Sequence, residues 1–371
     1  MKRKFTCVDL FSGAGGLSRG FMDAGFDVLI GVDFDDAALK TFKENHGDSE
    51  ALKLDLFNHD NIDVIVEHLR EKGIEKNGLD VLIGGPPCQG FSIAGSRDMN
   101  DKRNRLYLAM VKLADKLKPQ AVLLENVPGM LQTNDGIGAK RIINDFAEIG
   151  YKMTPKLMYA PDFGVPQIRK RVFFVGLKNG EEFKFPEPTV KPKDYITCKD
   201  AIDDLPTLQT ENGEIIYGEE EQDYLTAPRT DYQKLMRRNS QKVLNHIGSI
   251  PIEKTRKMIS LIPEGKNYKA LPDEYSGMYK YHEALTRYNS KKPSLTINTG
   301  HRSHFHYKWN RIPTVRESAR LQSFPDDFIF YGNKSEQYKQ VGNAVPPMLG
   351  YVVAKQLRNY LENEGKNDGE N

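Results

Sequence analysis

Cysteine is scarce in this chain of 371 residues. Cys7, Cys88 and Cys198 are far apart and odd in number, which excludes a disulfide framework and provides no metal-ligand spacing. Such usage suits a reducing cytoplasm. No apolar run approaches the roughly 18 residues that a membrane span needs. The basic N-terminus, MKRKFTCVDLF, has an apolar run that stops at Asp9, so it reads as a strand and not as a signal peptide. Net charge is only +2, so bulk charge does not mark a nucleic-acid binder. There is no internal repeat and no long low-complexity tract.

Apolar residues make up 39 % of the chain, enough to bury a core. The length allows two domains, or one with an inserted lobe. Eight Lys and Arg fall between residues 229 and 257 against only Asp231 and Glu253, just after six acids between 211 and 223. A charge run of this kind reads first as a solvated surface and second as a track for phosphates.

Over the first 180 residues, short apolar runs alternate with amphipathic stretches. FTCVDLF, DVLIGVDF, LDVLIGG, AVLLENV and RVFFVGL have little polar alternation, as expected for strands buried on both faces. Helices are expected between them at 17–24, 36–45, 62–72, 105–117 and 139–149. The alternation predicts an α/β fold with a doubly wound, mostly parallel sheet. From about residue 178 to 294 prolines and polar clusters dominate, which predicts a smaller irregular lobe. Helices are expected again at 314–323, closed by Pro325, and at 348–362, with a disordered GKNDGEN tail.

Strand one runs into DLFSGAGGLSRGF. Gly13, Gly15 and Gly16 sit where a parallel strand turns into a helix, so the backbone can approach a ligand there. Ser18 occupies the third glycine position of a dinucleotide fingerprint, which favours a smaller nucleoside ligand over a pyrophosphate. Asp33, ending strand two, is placed for ribose hydroxyls, and Asp55, after strand three, for an adenine amino group.

Strand four ends in GGPPCQGFS, which puts Cys88 on a stiff turn at the carboxyl end of a central strand. A thiol so placed reads as a nucleophile. Cys7, inside a strand, reads as a small buried residue, and Cys198 carries no signal. The polar segment that follows, with Arg97, Lys102, Arg103 and Arg105, suits a loop closing on a polyanion as well as an ordinary solvated loop.

Strand five ends in ENV, so Glu125 is expected at the same sheet edge as Cys88, one strand across, and partly desolvated, which raises a carboxyl pKa. In QIRKR, Arg169 and Arg171 would share one face of an extended chain and could hold carbonyl and phosphate oxygens. A thiol, a carboxyl and a nucleoside-type cofactor at one sheet edge are what carbon methylation of cytosine requires. Thiolate addition at C6 makes C5 enamine-like, and a carboxyl at N3 stabilises the developing charge. The target base must leave the duplex first.

In these segments the chain resembles the DNA cytosine-C5 methyltransferase family. DLFSGAGG resembles its cofactor loop, GGPPCQGFS its nucleophile loop, ENV its carboxylate motif and QIRKR its Gln-x-Arg-x-Arg motif. RESARLQSFPDDF and QVGNAVPP resemble two further motifs, and all six occur in the family's order across nearly the whole chain. The resemblance implies a class I S-adenosylmethionine-dependent methyltransferase fold. Residues 1–177 would be catalytic, 178–300 would recognise the target, and 301–371 would return to the catalytic domain, most of it from about 313 onward.

The resemblance also implies residue roles. Cys88 would be the nucleophile, Glu125 the group at cytosine N3, and Arg171 a cytosine contact supported by Arg169. S-adenosyl-L-methionine, leaving as S-adenosyl-L-homocysteine, would meet Phe11, Gly13, Gly15, Gly16, Asp33, Phe34, Asp55, Leu56, Pro87, Asn343 and Val345. Gln89, Ser92 and Arg97 would face the DNA. Ala94 stands where some members carry serine. No metal is implied. Double-stranded DNA is the implied partner, a cognate restriction endonuclease would act separately, and a monomer in the bacterial cytoplasm or nucleoid would suffice.

HRSHFHYKW suggests a metal site at His301, His304 and His306, but no cysteine or acid cluster accompanies it, so DNA-contacting side chains are the favoured reading. Arg316, Glu317 and Arg320 are expected to organise the lobe junction. Three rival readings are a tRNA methyltransferase of the same fold, a non-catalytic relative, and a nicotinamide-dependent oxidoreductase. The first lacks its Cys-Phe-Thr signature here. The second is disfavoured by the retained Cys88, Glu125 and arginines, and the third by Ser18 and the thiol loop.

Overall fold

The structure is a computed structural model and describes residues 3–87, 105–210, 212, 214–249, 251–275, 285–300 and 303–367. The first strands are β1 (Thr6–Leu10), β2 (Asp27–Asp33), β3 (Glu50–Lys53), β4 (Val81–Gly84) and β5 (Ala121–Asn126), all but the short β3 formed by the apolar runs. An unanticipated strand, β6 (Lys152–Tyr159), precedes β7 (Lys170–Leu177). β6 holds Pro155 and buries only Met153 and Met158, as an edge strand can, since a missing donor is tolerated there. Between strands lie α1 (Gly16–Asp23), α2 (Asp36–Asn45), α3 (Asn61–Glu71), α4 (Tyr107–Leu117), α5 (Gly129–Gln132) and α6 (Ile137–Glu148).

The sheet has seven strands in the order β3-β2-β1-β4-β5-β7-β6. β1 to β5 pair in parallel, and β7 runs antiparallel to both neighbours. The period of two sorts the strand residues between two faces. Val8, Leu10, Ile30 and Val32 pack with Ile65 and Leu69 of α3, Leu113 and Leu117 of α4, and Ile142 and Phe146 of α6. The intervening Gly31 looks the other way, and α2 lies so close that a Cβ on Gly31 would come within 2.3 Å of the Phe42 ring. Helices therefore cover both faces, and the doubly wound, mostly parallel sheet is as expected. Chain order reverses between β1 and β4, so the ligand crevice of such a sheet opens past their carboxyl ends.

By its internal packing the chain divides into two compact units. The first holds Met1–Tyr159, Lys170–Glu187 and Leu349–Asn371. Its last helix, α12 (Pro347–Asn367), lies so close to α1 that a Cβ on Gly350 would come within 3.1 Å of the Leu17 carbonyl. α12 also corrects the expectation of a disordered GKN at the start of the tail. A stripe of buried residues including Val353, Leu357 and Leu361 anchors the helix, and helical propagation carries it on to Asn367.

The second unit holds Ala160–Arg169 and Pro188–Met348. It contains short helices α7 (Cys198–Ile202), α8 (Asp231–Arg237), α9 (Glu253–Leu261), α10 (Val315–Leu321) and α11 (Lys334–Asn343). Two small ladders join β8 (Glu221–Asp223) to β9 (Lys242–Leu244) and β10 (Thr286–Arg287) to β11 (His304–Phe305). Much of its interior is ionic. Arg320 is wholly buried and clasps Asp326 at 2.6 and 2.8 Å and Asp204 at 2.7 Å. Arg311 holds Glu317 by two bonds of 2.6 and 2.7 Å. Burial alone would push the Glu317 carboxyl up, but Arg311 holds it well below the usual range. Arg316 donates to the carbonyls of Leu244, Pro325 and Phe328. These residues are buried in the second unit and tie its elements together.

Four of the eight cations of the basic run pair with acids of their own unit. Arg229 pairs with Asp203, Lys234 with Asp231, Arg237 with Asp204 and Lys242 with Asp223.

Four histidines are buried as neutral rings. Burial pushes His46, His246 and His304 down to about 4 and His306 to about 3, from an ordinary 6.5. The unfolded chain therefore holds more protons in that interval, so stability is full above 6.5 and falls as pH drops toward 4. Asp9, which burial pushes up to about 7, has the opposite sign and offsets one of the four. The unfolding free energy from urea titrations should therefore fall between about pH 6.5 and 4.5, by roughly 1.4 kcal/mol per pH unit for each uncompensated proton. A flat profile would contradict the neutral burial of these rings.

Candidate active site

The glycine loop is built from its neighbours. The Ser12 amide donates to the Val32 carbonyl at 3.0 Å, and the Gly13 amide donates to Asp33 Oδ2 at 2.9 Å. Phe11, Gly13 and Gly15 all have positive φ, at 59°, 54° and 90°. For Phe11 this is a strained conformation of the kind concentrated at functional sites. A Cβ on Gly13 would meet nothing within 4 Å, so the loop presents open backbone there. Gly15 and Gly16 are buried at the start of α1.

Asp33 also accepts from the amides of Phe34 at 2.7 Å and Asp35 at 3.0 Å. Burial pushes its carboxyl up, against three backbone donors that hold it down. Oδ1 is filled by these two amides, while Oδ2, with the Gly13 amide alone, retains a lone pair for a further donor. Phe34 is 67 % exposed, so its ring is open to contact by a ligand. Asp55 is exposed and uses Oδ1 to accept from the Phe57 amide at 2.9 Å, leaving Oδ2 facing outward chemistry. Leu56 instead belongs to the apolar core, so little of its side chain is open to a ligand. Open glycine backbone, a ribose-type acceptor, an exposed ring and a second carboxyl fit a nucleoside cofactor such as S-adenosylmethionine.

Two strands away from β2, β4 leads into Pro86 and Pro87. The Pro86 carbonyl accepts from the buried Asn126 side chain at 3.0 Å. Asn126 thus ties the ENV segment to the Pro-Pro turn, a role that its sequence position alone did not signal. Cys88, Gln89, Ser92, Ala94, Arg97, Lys102 and Arg103 lie outside the described residues, as does His301. The other two cysteines, Cys7 and Cys198, are fully buried thiols, as the bland reading expects.

Glu125 is 9 % exposed at the end of β5 and pairs with Arg171, whose Nε lies 2.8 Å from Oε1. Burial pushes the Arg171 guanidinium down, opposed by the Glu125 charge. Glu125 sits opposite Phe173 in the β5–β7 register, so Arg171 is the diagonal residue on the same face.

Arg169 does not share that role, which corrects the expected two-pronged face. It is buried in the second unit and donates to the carbonyls of Ile297 at 3.2 Å, Gly342 at 3.0 Å and Ala344 at 3.0 Å. Gln167, also buried, accepts from the Ile297 amide at 3.0 Å. The Gln-x-Arg half of QIRKR therefore fastens the second unit's loops to the QVGNAVPP backbone. Asn343, exposed at the end of α11, and Val345, buried, belong to that unit as well.

The histidines of HRSHFHYKW are corrected too. His304 and His306 are 6 % and 3 % exposed, too buried to touch DNA. His306 Nδ1 accepts from the amides of Lys308 and Trp309. Among the described residues no cluster of His, Cys, Asp and Glu could hold a metal.

The chain belongs to the family of C-5 cytosine-specific DNA methylases, whose pattern matches residues 5–359. It is 36 % identical over 362 residues to the type II methyltransferase M1.HphI of Haemophilus parahaemolyticus, covering 97 % of this chain and 88 % of that one. It is 35 % identical to M.DdeI of Desulfomicrobium norvegicum, covering 96 % and 89 %. Its structure is similar to that of an E. coli prophage protein described as a DNA modification methyltransferase, with a TM-score of 0.78, 27 % identity, and coverage of 97 % and 100 %.

Replacing Arg171 with Met would take the guanidinium away from the buried Glu125 carboxylate. Chemical denaturation of Arg171→Met should show a loss of about 3 kcal/mol or more, since removing one partner of a buried pair leaves the other uncompensated. The double variant Arg171→Met/Glu125→Gln should recover much of that loss. No recovery would mean that the pair carries no such coupling.

Proposed function

We propose that this methyltransferase transfers the methyl group of S-adenosyl-L-methionine to C5 of a flipped-out cytosine in a specific double-stranded DNA sequence, with Cys88 as its covalent nucleophile. The observation that carries the reading is the buried Glu125–Arg171 pair at the carboxyl end of β5, beside the strand that leads into the Pro-Pro-Cys turn. The cofactor supplies an electrophilic methyl group, released as S-adenosyl-L-homocysteine. Phe11, Gly13, Gly15, Gly16, Asp33, Phe34 and Asp55 would hold it, with contacts from Leu56, Pro87, Asn343 and Val345. Residues 178–300 would read the target sequence.

The Cys88 thiolate adds to cytosine C6, forming a C–S bond. Glu125 hydrogen-bonds at N3, and Arg171 both orients that carboxyl and contacts the base. The electron density gained by the ring lets C5 take the methyl group. A base then removes the C5 proton, and the C–S bond breaks to restore the aromatic ring and the thiolate. Arg169 supports the site through the loops that it fastens. Gln89, Ser92 and Arg97 would meet DNA from the segment after the nucleophile.

The type II names of the relatives support a role in restriction-modification, with a cognate endonuclease acting separately. One chain contains every group named, so a monomer suffices. It would act in the bacterial cytoplasm, at the nucleoid. Among the described residues no helix is long and apolar enough to cross a membrane.

Cys88→Ala should abolish methyl transfer while leaving the Kd for S-adenosylhomocysteine within about fivefold, because the thiol acts on the base and not on the cofactor. Bisulfite sequencing of DNA from expressing cells identifies the target. A duplex with 5-fluorocytosine at that target should trap a covalent adduct, since fluorine blocks the proton loss that elimination needs. Methylation of tRNA in place of DNA, or no adduct, would overturn the reading.

A further inference from the structure

Against the glycine loop lies a buried polar cluster that the chemistry above does not use. His46, the residue after α2, is 1 % exposed and stacks on Phe42 with ring centroids 4.0 Å apart. Its Nδ1 is 2.8 Å from the Phe42 carbonyl and must donate there. Its Nε2 lies 3.1 Å from Ser18 Oγ and 3.2 Å from the Gly15 carbonyl. A neutral ring that donates from Nδ1 offers a lone pair at Nε2, so the Ser18 hydroxyl is the donor in this pair.

The contact is close. A Cβ on Gly15 would fall 2.1 Å from His46 Cε1, so Gly15 is set directly against the ring. Ser49 holds the far end of the turn by donating to the His46 carbonyl at 2.7 Å. Ser18 is fully buried, and its backbone amide donates to Asp9, which is buried in β1. Arg19 and Asp33 are the other charged groups acting on this cluster, through His46 and Asp9 respectively.

These groups lock the glycine loop from two directions. Asp33 holds Gly13 from the crevice side, and His46 with Ser18 backs Gly15 from α2. Without the backing, α1 and the open amides of the loop would be free to shift relative to β2. We propose that Ser18 and His46 are positioning residues for the cofactor, fixing the Gly13–Gly16 backbone in its binding conformation without touching the cofactor themselves. This rests on the cofactor reading above and extends it to a pair of side chains outside the pocket. It also accounts for serine at the position where a dinucleotide fingerprint has its third glycine: the hydroxyl is the link to His46.

The test is calorimetric titration of the full chain with S-adenosylhomocysteine, for the wild type, Ser18→Ala, His46→Ala and the double variant. Each single change should raise Kd by about fivefold, the scale of one lost buried hydrogen bond. The double variant should be no weaker than the weaker single, because both break the same link. In steady-state methylation the loss should fall on KM for the cofactor, with kcat at saturation changed less than about twofold. His46→Gln, which keeps an acceptor for Ser18, should recover part of the affinity. Ser18→Ala removes only one hydroxyl, so it carries the test should His46→Ala fail to fold. Folded variants with wild-type Kd, or effects that multiply independently in the double variant, overturn the proposal. A wild-type chain that does not bind S-adenosylhomocysteine overturns the cofactor reading as well, which separates the two failures.

Discussion

The ion pair between Glu125 and Arg171 depends on the direction of a single strand. β7 is the antiparallel strand of the sheet, so its first residues lie beside the last residues of β5. A parallel β7 would start at the opposite edge and carry Arg171 away from the crevice. The antiparallel ladder gives Glu125 a cation on the same face, and the pair can then stay buried because each charge compensates the other. Asn126 uses the same strand end to hold the Pro86 carbonyl, so one short segment orients both the carboxyl and the turn before Cys88.

The two compact units solve their packing problems differently. The first buries aliphatic side chains between a sheet and helices, with polar groups gathered at the carboxyl ends of the strands. The second has short elements and few long apolar runs, and it is held by buried arginines that satisfy carbonyls and carboxylates distant in sequence. Arg169 and Gln167 belong to this second economy. They stand two and four residues from Arg171, yet their partners are loop backbones, not a neighbouring carboxylate.

Legibility followed the range of the forces involved. β1, β2, β4, β5 and β7 and the helices after them were readable because a strand buried on both faces needs an unbroken apolar run. β6 was missed because an edge strand needs no such run, and Pro155 in it reads as a break. The helices between 198 and 261 were missed because they are short and their caps, such as Thr197 and Thr230, are common residues in polar surroundings. His304 and His306 read as surface groups, since a histidine in a polar stretch carries no mark of burial. The glycine loop, Asp33 and Glu125 were placed correctly at strand ends, because strand boundaries and the carboxyl-edge rule are both local inferences. The parts taken by Asn126, Ser18 and His46 were not.

The sequence by itself determined the order of the buried strands, the chemistry available at their ends, and the family, since six motifs in register leave little freedom. Only the tertiary structure decided which charges meet. Arg169 and Arg171 are near-identical in sequence context, and Arg320 finds Asp204 across more than a hundred residues. Such pairings are decided by burial, where an unpaired charge is too costly to keep, and burial is a property of the folded chain that no local pattern encodes.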